Sequence, residues 1–265
     1  MTMPPPPPMP QGRLEDGLRS GGSQPDEQLS GFVVGMNVIN TVTHLLLGAV
    51  AFGAFFYINT KKFFYDDFLT AEISKLSAHV YLSIIGYVLL VSQAVLSLNP
   101  RTGWGDNFKY PKKTRIYWSL QVLGSLLAII GGILGIIGVS ELNEENIPIL
   151  VRPDTGHLSS AHHIVGLVAM VLTTVSLVGG LVHLICSSML SARIFKLLYS
   201  CIMTLTLIIA FIAICLAFDQ FRIFATDTSA NMAIAFTVLA LVGMLMMIIG
   251  NLTVAGGKAK RIRQT

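Results

Sequence analysis

Six long apolar runs constrain this chain more than any other feature of its 265-residue sequence. Each run has about the 20 residues that a helix needs to cross the hydrocarbon core of a bilayer. Because lipid offers the backbone no hydrogen-bond partner, each run is expected to form a continuous helix. The predicted fold class is therefore all-α, a polytopic bundle of six transmembrane helices. The predicted helices cover residues 31–58, 76–98, 116–139, 162–186, 194–217 and 229–255.

The composition indicates that the bilayer is the solvent of this chain. Hydrophobic residues make up 53% of it and charged residues 12%, about half the charged fraction of a soluble domain. No basic stripe with interleaved aromatic residues suggests nucleic-acid binding. Three segments are predicted: a disordered cytoplasmic tail rich in Pro, Gly and Ser at 1–30, the membrane domain at 31–255, and a basic cytoplasmic tail at 256–265.

The basic residues predict the orientation of the bundle, since Lys and Arg concentrate in the cytoplasmic loops of membrane proteins. They cluster after the second and fourth runs and in the C-terminal tail, whereas the loop after the third run holds four acidic residues and one arginine. An even number of helices places both termini on one side, so both are predicted to be cytoplasmic. An endomembrane and the plasma membrane fit this orientation equally well.

Two histidines mark a candidate metal site. Ionisable side chains inside a membrane are costly and point to function, and neutral imidazole is the commonest metal ligand. His79 lies near the start of the second run and His162 at the start of the fourth. Because alternate helices run parallel, both lie at matched depth near the non-cytoplasmic face, where two imidazoles can hold one haem iron from opposite sides. The alternative is that each histidine caps a helix or reaches toward the interface.

Each of the first five runs contains or borders a short motif. They are His44-Leu45 in the first run, His79 and Asn99-Pro100 in the second, Lys113, Arg115, Leu120 and Gln121 in the third, His157, His162, Gly166 and Gly179-Gly180 around the fourth, and Lys196-Leu197-Leu198 in the fifth. In this order and spacing the chain resembles the cytochrome b-561 family, and most closely its short members that consist of little beyond the six-helix domain.

The resemblance implies two b haems, one near each face of the membrane. Histidines of the second and fourth helices hold the non-cytoplasmic haem, which corresponds to His79 and His162 here. Histidines of the third and fifth helices hold the cytoplasmic haem. The resemblance also implies ascorbate as the cytosolic electron donor, ferric iron or monodehydroascorbate as the acceptor, an oxidoreductase of the ferrireductase type, and a tendency to form homodimers.

The chain departs from the family where the cytoplasmic haem is held. Tyr117 stands four residues before Gln121 at the third-helix ligand position, and Tyr199 follows Lys196-Leu197-Leu198 at the fifth-helix position. Tyrosine ligates haem iron in catalase, but its phenol must first lose a proton, with an ordinary pKa near 10. Two phenolates on one buried iron would also crowd negative charge. We therefore expect one haem b, at the non-cytoplasmic site.

Three further residues are candidates for substrate binding by the resemblance. Lys113 and Arg115 would attract anionic ascorbate, although the positive-inside rule alone also explains them. His157 would line a substrate mouth at the non-cytoplasmic face, and the alternative is an exposed loop histidine.

The other histidines have weaker claims on a metal. His183 and His44 are each a potential ligand for a second site, with a packing histidine as the alternative reading. His163 points about 100° away from His162 on a helix and is expected at the interface.

Two other functions compete with haem-based electron transfer. A divergent family member without transmembrane electron transfer would act as a sensor, scaffold or partner subunit, and the two tyrosines favour that reading. An unrelated membrane protein, such as a tetraspan or small transporter, is not supported by any inverted repeat, broken-helix pair or mid-membrane acid.

Overall fold

The computed structural model describes residues 25–64, 71–97, 112–144, 160–185, 192–223 and 227–263. Apart from Ser160, these residues are helical throughout, which confirms the predicted all-α class. The helices are α1 (Pro25–Phe64), α2 (Ala71–Ser83), α3 (Ser92–Ser97), α4 (Lys112–Glu144), α5 (Ala161–Ile185), α6 (Ala192–Ile223) and α7 (Asp227–Arg263), with a π-helical segment, Ile84–Val91, between α2 and α3.

Six helical stretches are long and apolar enough to cross a membrane, as predicted. They cover Val34–Asn59, Ser74–Ser97, Lys112–Glu141, Ala161–Val182, Cys201–Asp219 and Asn231–Gly250. The second span consists of α2, the π segment and α3. The helices are longer than the apolar runs, since α1 already begins at Pro25 and α7 continues to Arg263, inside the segments predicted as tails. Hydropathy marks only the part of a helix that lies in hydrocarbon, and a polar helix end can continue into water.

Ser160 starts α5 and thereby places His162 in its first turn. The Ser160 side-chain oxygen accepts a hydrogen bond from the backbone N–H of His163 at 3.3 Å, and its carbonyl accepts one from the N–H of Ile164 at 3.2 Å. Serine is favoured at this position because its side chain satisfies a backbone donor that the first helical turn leaves unpaired. This cap holds His162 where the fourth span begins.

The spans pack as a core of four with two flanking helices. α4 packs against α2 and the π segment on one side and α5 on the other, and α5 packs against α6. α7 packs against both α6 and α1, and α1 also packs against the π segment. Between the second span and α4 the backbones touch: a Cβ on Gly86 would lie 2.7 Å from the carbonyl oxygen of Gly124. Small residues allow this close approach. In lipid the helices gain little from burying apolar surface, so close van der Waals packing drives their association.

The π segment interrupts the second span one turn after His79. Its end is held by Ser92, whose hydroxyl donates a hydrogen bond to the carbonyl of Tyr87 at 2.8 Å. Ser92 is fully buried, so no solvent competes for this bond. π-Helical turns are rare and often lie at functional sites, and this one joins α2, which carries His79, to α3.

Candidate metal centre

The structure brings the imidazoles of His79 and His162 next to each other, with the edge of one ring toward the face of the other. Their ring centroids are 6.2 Å apart and their planes are inclined by 68°. A metal–imidazole bond measures about 2 Å and the ring centroid lies about 1.1 Å beyond the nitrogen, so two imidazoles on opposite sides of one metal have centroids about 6.3 Å apart. The observed spacing therefore matches two axial ligands of a single metal.

Both imidazoles use the same ring nitrogen for a backbone hydrogen bond. Nδ1 of His79 lies 2.8 Å from the carbonyl oxygen of Gly131 in α4, and Nδ1 of His162 lies 2.9 Å from that of Ala213 in α6. A carbonyl can only accept, so each Nδ1 carries the proton and each neutral ring keeps its lone pair on Nε2. Histidines that bind metals almost always donate their other N–H in this way.

Glycines leave room around the two rings. A Cβ on Gly135 would lie 2.7 Å from Nδ1 of His79, so only glycine allows this ring to lie against α4. Gly166, one turn after His162, has no other atom within 4 Å of the position its Cβ would take. Donor atoms, spacing and open space thus fit a haem held between the second span and α5.

An ion pair lies one helical turn from His79. Lys75, one turn before His79, binds the carboxylate of Glu141 near the end of α4. Both side chains are about one-third exposed. The pair links α2, which carries His79, to α4, against which the His79 ring lies.

Of the four other histidines, the structure describes the side chains of His44 and His163, and neither shares the arrangement of this pair. Nδ1 of His44 accepts a hydrogen bond from the side-chain amide of Gln93 at 2.8 Å, which is a packing contact between α1 and α3. The ring of His163 lies 5.9 Å from that of His162 by centroids. His183 belongs to α5, but its side chain lies outside the described part of the chain, as does the whole of His157. Among the described side chains, no three or more His, Cys, Asp or Glu lie together as a metal-binding group.

Aromatic side chains lie toward the other end of the core, where the family resemblance places the second haem. Tyr117 is buried and interacts with Tyr199. The indole of Trp118 contacts both rings, edge-on to Tyr117 with a centroid distance of 5.3 Å and tilted against Tyr199 with a centroid distance of 5.8 Å. A Cβ on Gly180 would lie 2.8 Å from Trp118 and 3.0 Å from the hydroxyl of Tyr199. Neither the donor atoms nor the packing here fits a bis-imidazole haem.

Other predicted residues lie around this aromatic cluster. Lys113 and Arg115 are in the first turns of α4, at the same end of the bundle as Tyr117. Gln121 is 1% exposed, and its amide nitrogen contacts the hydroxyl of Ser125 at 3.1 Å and the sulfur of Met203 at 3.5 Å.

The groups that hold the two histidines in place have no signature in the sequence. Gly131 and Ala213 act through backbone carbonyls, which any residue carries. A hydrogen bond of 2.8 Å between Tyr87 of the π segment and Thr173 of α5 was also not foreseen. Its only sequence signal is a pair of hydroxyl-bearing residues inside apolar runs.

Comparison with known proteins identifies the family. A family model described as eukaryotic cytochrome b561 matches residues 78–225, more than half of the chain. The match begins one residue before His79 and ends just beyond α6, so it covers the four-span core. Comparisons with curated proteins and with solved structures gave no significant match. Membership suggests haem-linked electron transfer across a membrane, and the six spans make this an integral multi-pass protein. The chain belongs to the eukaryotic cytochrome b561 family.

Proposed function

We propose that this protein is a transmembrane electron-transfer protein that binds one haem b between His79 and His162, near the non-cytoplasmic face. The observation that carries the proposal is the pair of imidazoles with centroids 6.2 Å apart. Each has its Nδ1 committed to a backbone carbonyl and its Nε2 left for iron. Tyr117 and Tyr199 stand at the second ligand positions, which supports a single haem per chain.

When bound, the haem supplies a one-electron carrier that alternates between ferric and ferrous iron. The residues of the chain hold and orient it. Hydrogen bonds from Nδ1 to Gly131 and Ala213 keep each ring in one tautomer and one orientation and raise the basicity of Nε2. Because the helices that carry these groups are packed together, both rings would already be in place to hold the haem.

The charge distribution supports both the orientation and the proposed substrates. With both termini in the cytoplasm, basic residues outnumber acidic ones thirteen to five on the cytoplasmic side, whereas acidic residues outnumber basic ones nine to five on the other side. A basic cytoplasmic face, with Lys113 and Arg115 at the start of α4, favours an anionic donor such as ascorbate. An acidic outer face favours a cationic acceptor, so ferric iron fits better than the monodehydroascorbate anion. A role for His157 at the outer face stays a prediction.

The aromatic cluster favours a second candidate function. With one haem at the outer face, electrons from a cytosolic donor must cross the half of the membrane that Tyr117, Trp118 and Tyr199 fill. Electron tunnelling falls steeply with distance, so this gap slows transfer. The alternative is a member that binds haem, or has lost it, without transmembrane transfer and acts as a sensor, scaffold or partner subunit, alone or as a homodimer.

Haem stoichiometry in the purified protein tests the proposal directly. We expect one haem b per chain, a visible spectrum that changes on reduction with ascorbate or dithionite, and loss of the haem in His79→Ala and His162→Ala. His44→Ala is the matched control, because that membrane histidine hydrogen-bonds Gln93 instead. Two haems per chain would contradict the single site. Absence of haem would favour the alternative function.

A further inference from the structure

One hydrogen bond joins the two helices that carry the histidine pair. The hydroxyl of Tyr87, in the π segment of the second span, lies 2.8 Å from the hydroxyl of Thr173 in α5. Tyr87 is 7% exposed and Thr173 is 2% exposed, so this bond lies inside the bundle.

The direction of this bond follows from the second bond of Thr173. The threonine hydroxyl donates its proton to the carbonyl of Ala169, one turn earlier in α5, at 2.7 Å. Its oxygen must therefore accept from Tyr87. The phenol thus has one acceptor, and that acceptor is itself fixed to the backbone of α5, so the bond holds Tyr87 against a rigid part of the helix.

The π segment turns Tyr87 toward the side of the span that His79 occupies. Eight residues separate the two, so in an uninterrupted α-helix Tyr87 would point about 80° away from His79. A π-helix has more residues per turn, and each residue then turns less, which brings Tyr87 back toward the face of His79. On α5, Thr173 follows His162 by eleven residues, about three full turns, and shares its face.

We propose that Tyr87 and Thr173 are positioning residues for the haem site. Their hydrogen bond fixes how the second span and α5 are rotated against each other, and so sets the angle between the imidazole planes of His79 and His162. Ser92 supports this role by holding the carbonyl of Tyr87 at the end of the π segment. The inference rests on the proposed function, because it assumes that the two imidazoles share one haem.

The test is Tyr87→Phe, which keeps the ring and removes only the hydroxyl. The electron paramagnetic resonance spectrum of the ferric protein reports the angle between axial imidazole planes, and we expect its largest g value to shift. The midpoint potential should shift as well, and haem affinity should fall roughly threefold to twentyfold, the effect of one interhelical hydrogen bond in a membrane. Thr173→Val removes the same bond from the other side and should give the same changes.

Thr174→Val is the matched control. Its hydroxyl is lipid-exposed and bonds only the carbonyl of Met170 in its own helix, so the resonance spectrum and potential should not change. In the double variant Tyr87→Phe with Thr173→Val, the spectrum and potential should resemble those of either single variant, since the interhelical bond is already absent in each and the bond from Thr173 to Ala169 lies within α5. Unchanged spectra in both single variants, with haem still bound, would overturn the positioning role and leave the proposed function intact. A wild-type protein without haem would overturn both.

Discussion

At the scale of single residues, the partner of Nδ1 separates the candidate ligands from the packing histidine. His79 and His162 donate from Nδ1 to carbonyls, which leaves a lone pair on Nε2. His44 accepts at Nδ1 from the amide of Gln93, so its proton is on Nε2 and that nitrogen cannot bind a metal as it stands. Histidines of the membrane spans thus differ in whether their second ring nitrogen is free to bind a metal.

Gly135→Ala tests how closely the His79 ring is held. The new methyl group would lie 2.7 Å from Nδ1 and 2.9 Å from Cγ of the ring, so the imidazole has to move and its bond to Gly131 lengthens. Loss of a group that supports a metal ligand lowers metal affinity about 10- to 100-fold. We expect a loss of that order in haem affinity, measured by titrating the apoprotein with haem.

Gly48→Ala is the control for this substitution. Gly48 is an exposed glycine of α1 with no atom within 4 Å of the added methyl, and its replacement should leave haem affinity unchanged. Equal affinities in the two variants would mean that the ring is not held against α4.

At the scale of helices, the contact between the second span and α4 holds the site together. Gly86 and Gly124 face each other so closely that their backbones meet, and Gly131 and Gly135 continue the same seam to His79. The π segment lies at the centre of this contact. The π segment and the close approach of two backbones thus occur together, in the part of the second span that follows His79.

Gly124→Ala should destabilise the folded protein. The added methyl would meet the Cβ of Leu90 at 2.8 Å and the carbonyl of Gly86 at 3.0 Å, and these backbone-linked atoms cannot turn aside. Overpacking of this kind costs about 1–3 kcal/mol. Thermal unfolding in detergent should show a lower transition temperature. Gly179→Ala, where nothing lies within 4 Å, is the comparison, and an equal loss there would contradict a packing origin.

Some of this arrangement follows from the sequence and some does not. The pairing of His79 with His162 needs only the number of spans and the rule that alternate helices run parallel. The π segment, by contrast, has the sequence of an ordinary apolar run from Ile84 to Val91 and carries no local signal. Its existence depends on the tertiary contacts of Gly86 and Tyr87, which only the assembled bundle provides.

At the scale of the whole molecule, the family match covers four of the six spans and leaves out the first and the last. The family match covers the second to fifth spans, which carry both histidines and both carbonyls that hold them. α1 and α7 lie outside the match and pack against each other. His44 and Gln93 link α1 to the core. The redox proposal therefore concerns the four-span core, and the outer pair completes the membrane-spanning body.

The charge difference between the two faces predicts which electron acceptors the protein can use. An acidic outer face attracts cations, and salt screens this attraction, since the Debye length falls from about 10 Å at 0.1 M to about 3 Å at 1 M. Reduction of hexaammineruthenium(III), a trivalent cation, by protein in sealed vesicles should therefore slow as ionic strength rises. Reduction of hexacyanoferrate(III), a trivalent anion, should accelerate, so the two acceptors are controls for each other.

The variant Glu144→Gln with Glu145→Gln should weaken the salt dependence of both reduction rates, because it removes two acidic residues between the third and fourth spans. The opposite salt dependence for the two ions would contradict the proposed orientation and, with it, the preference for a cationic acceptor.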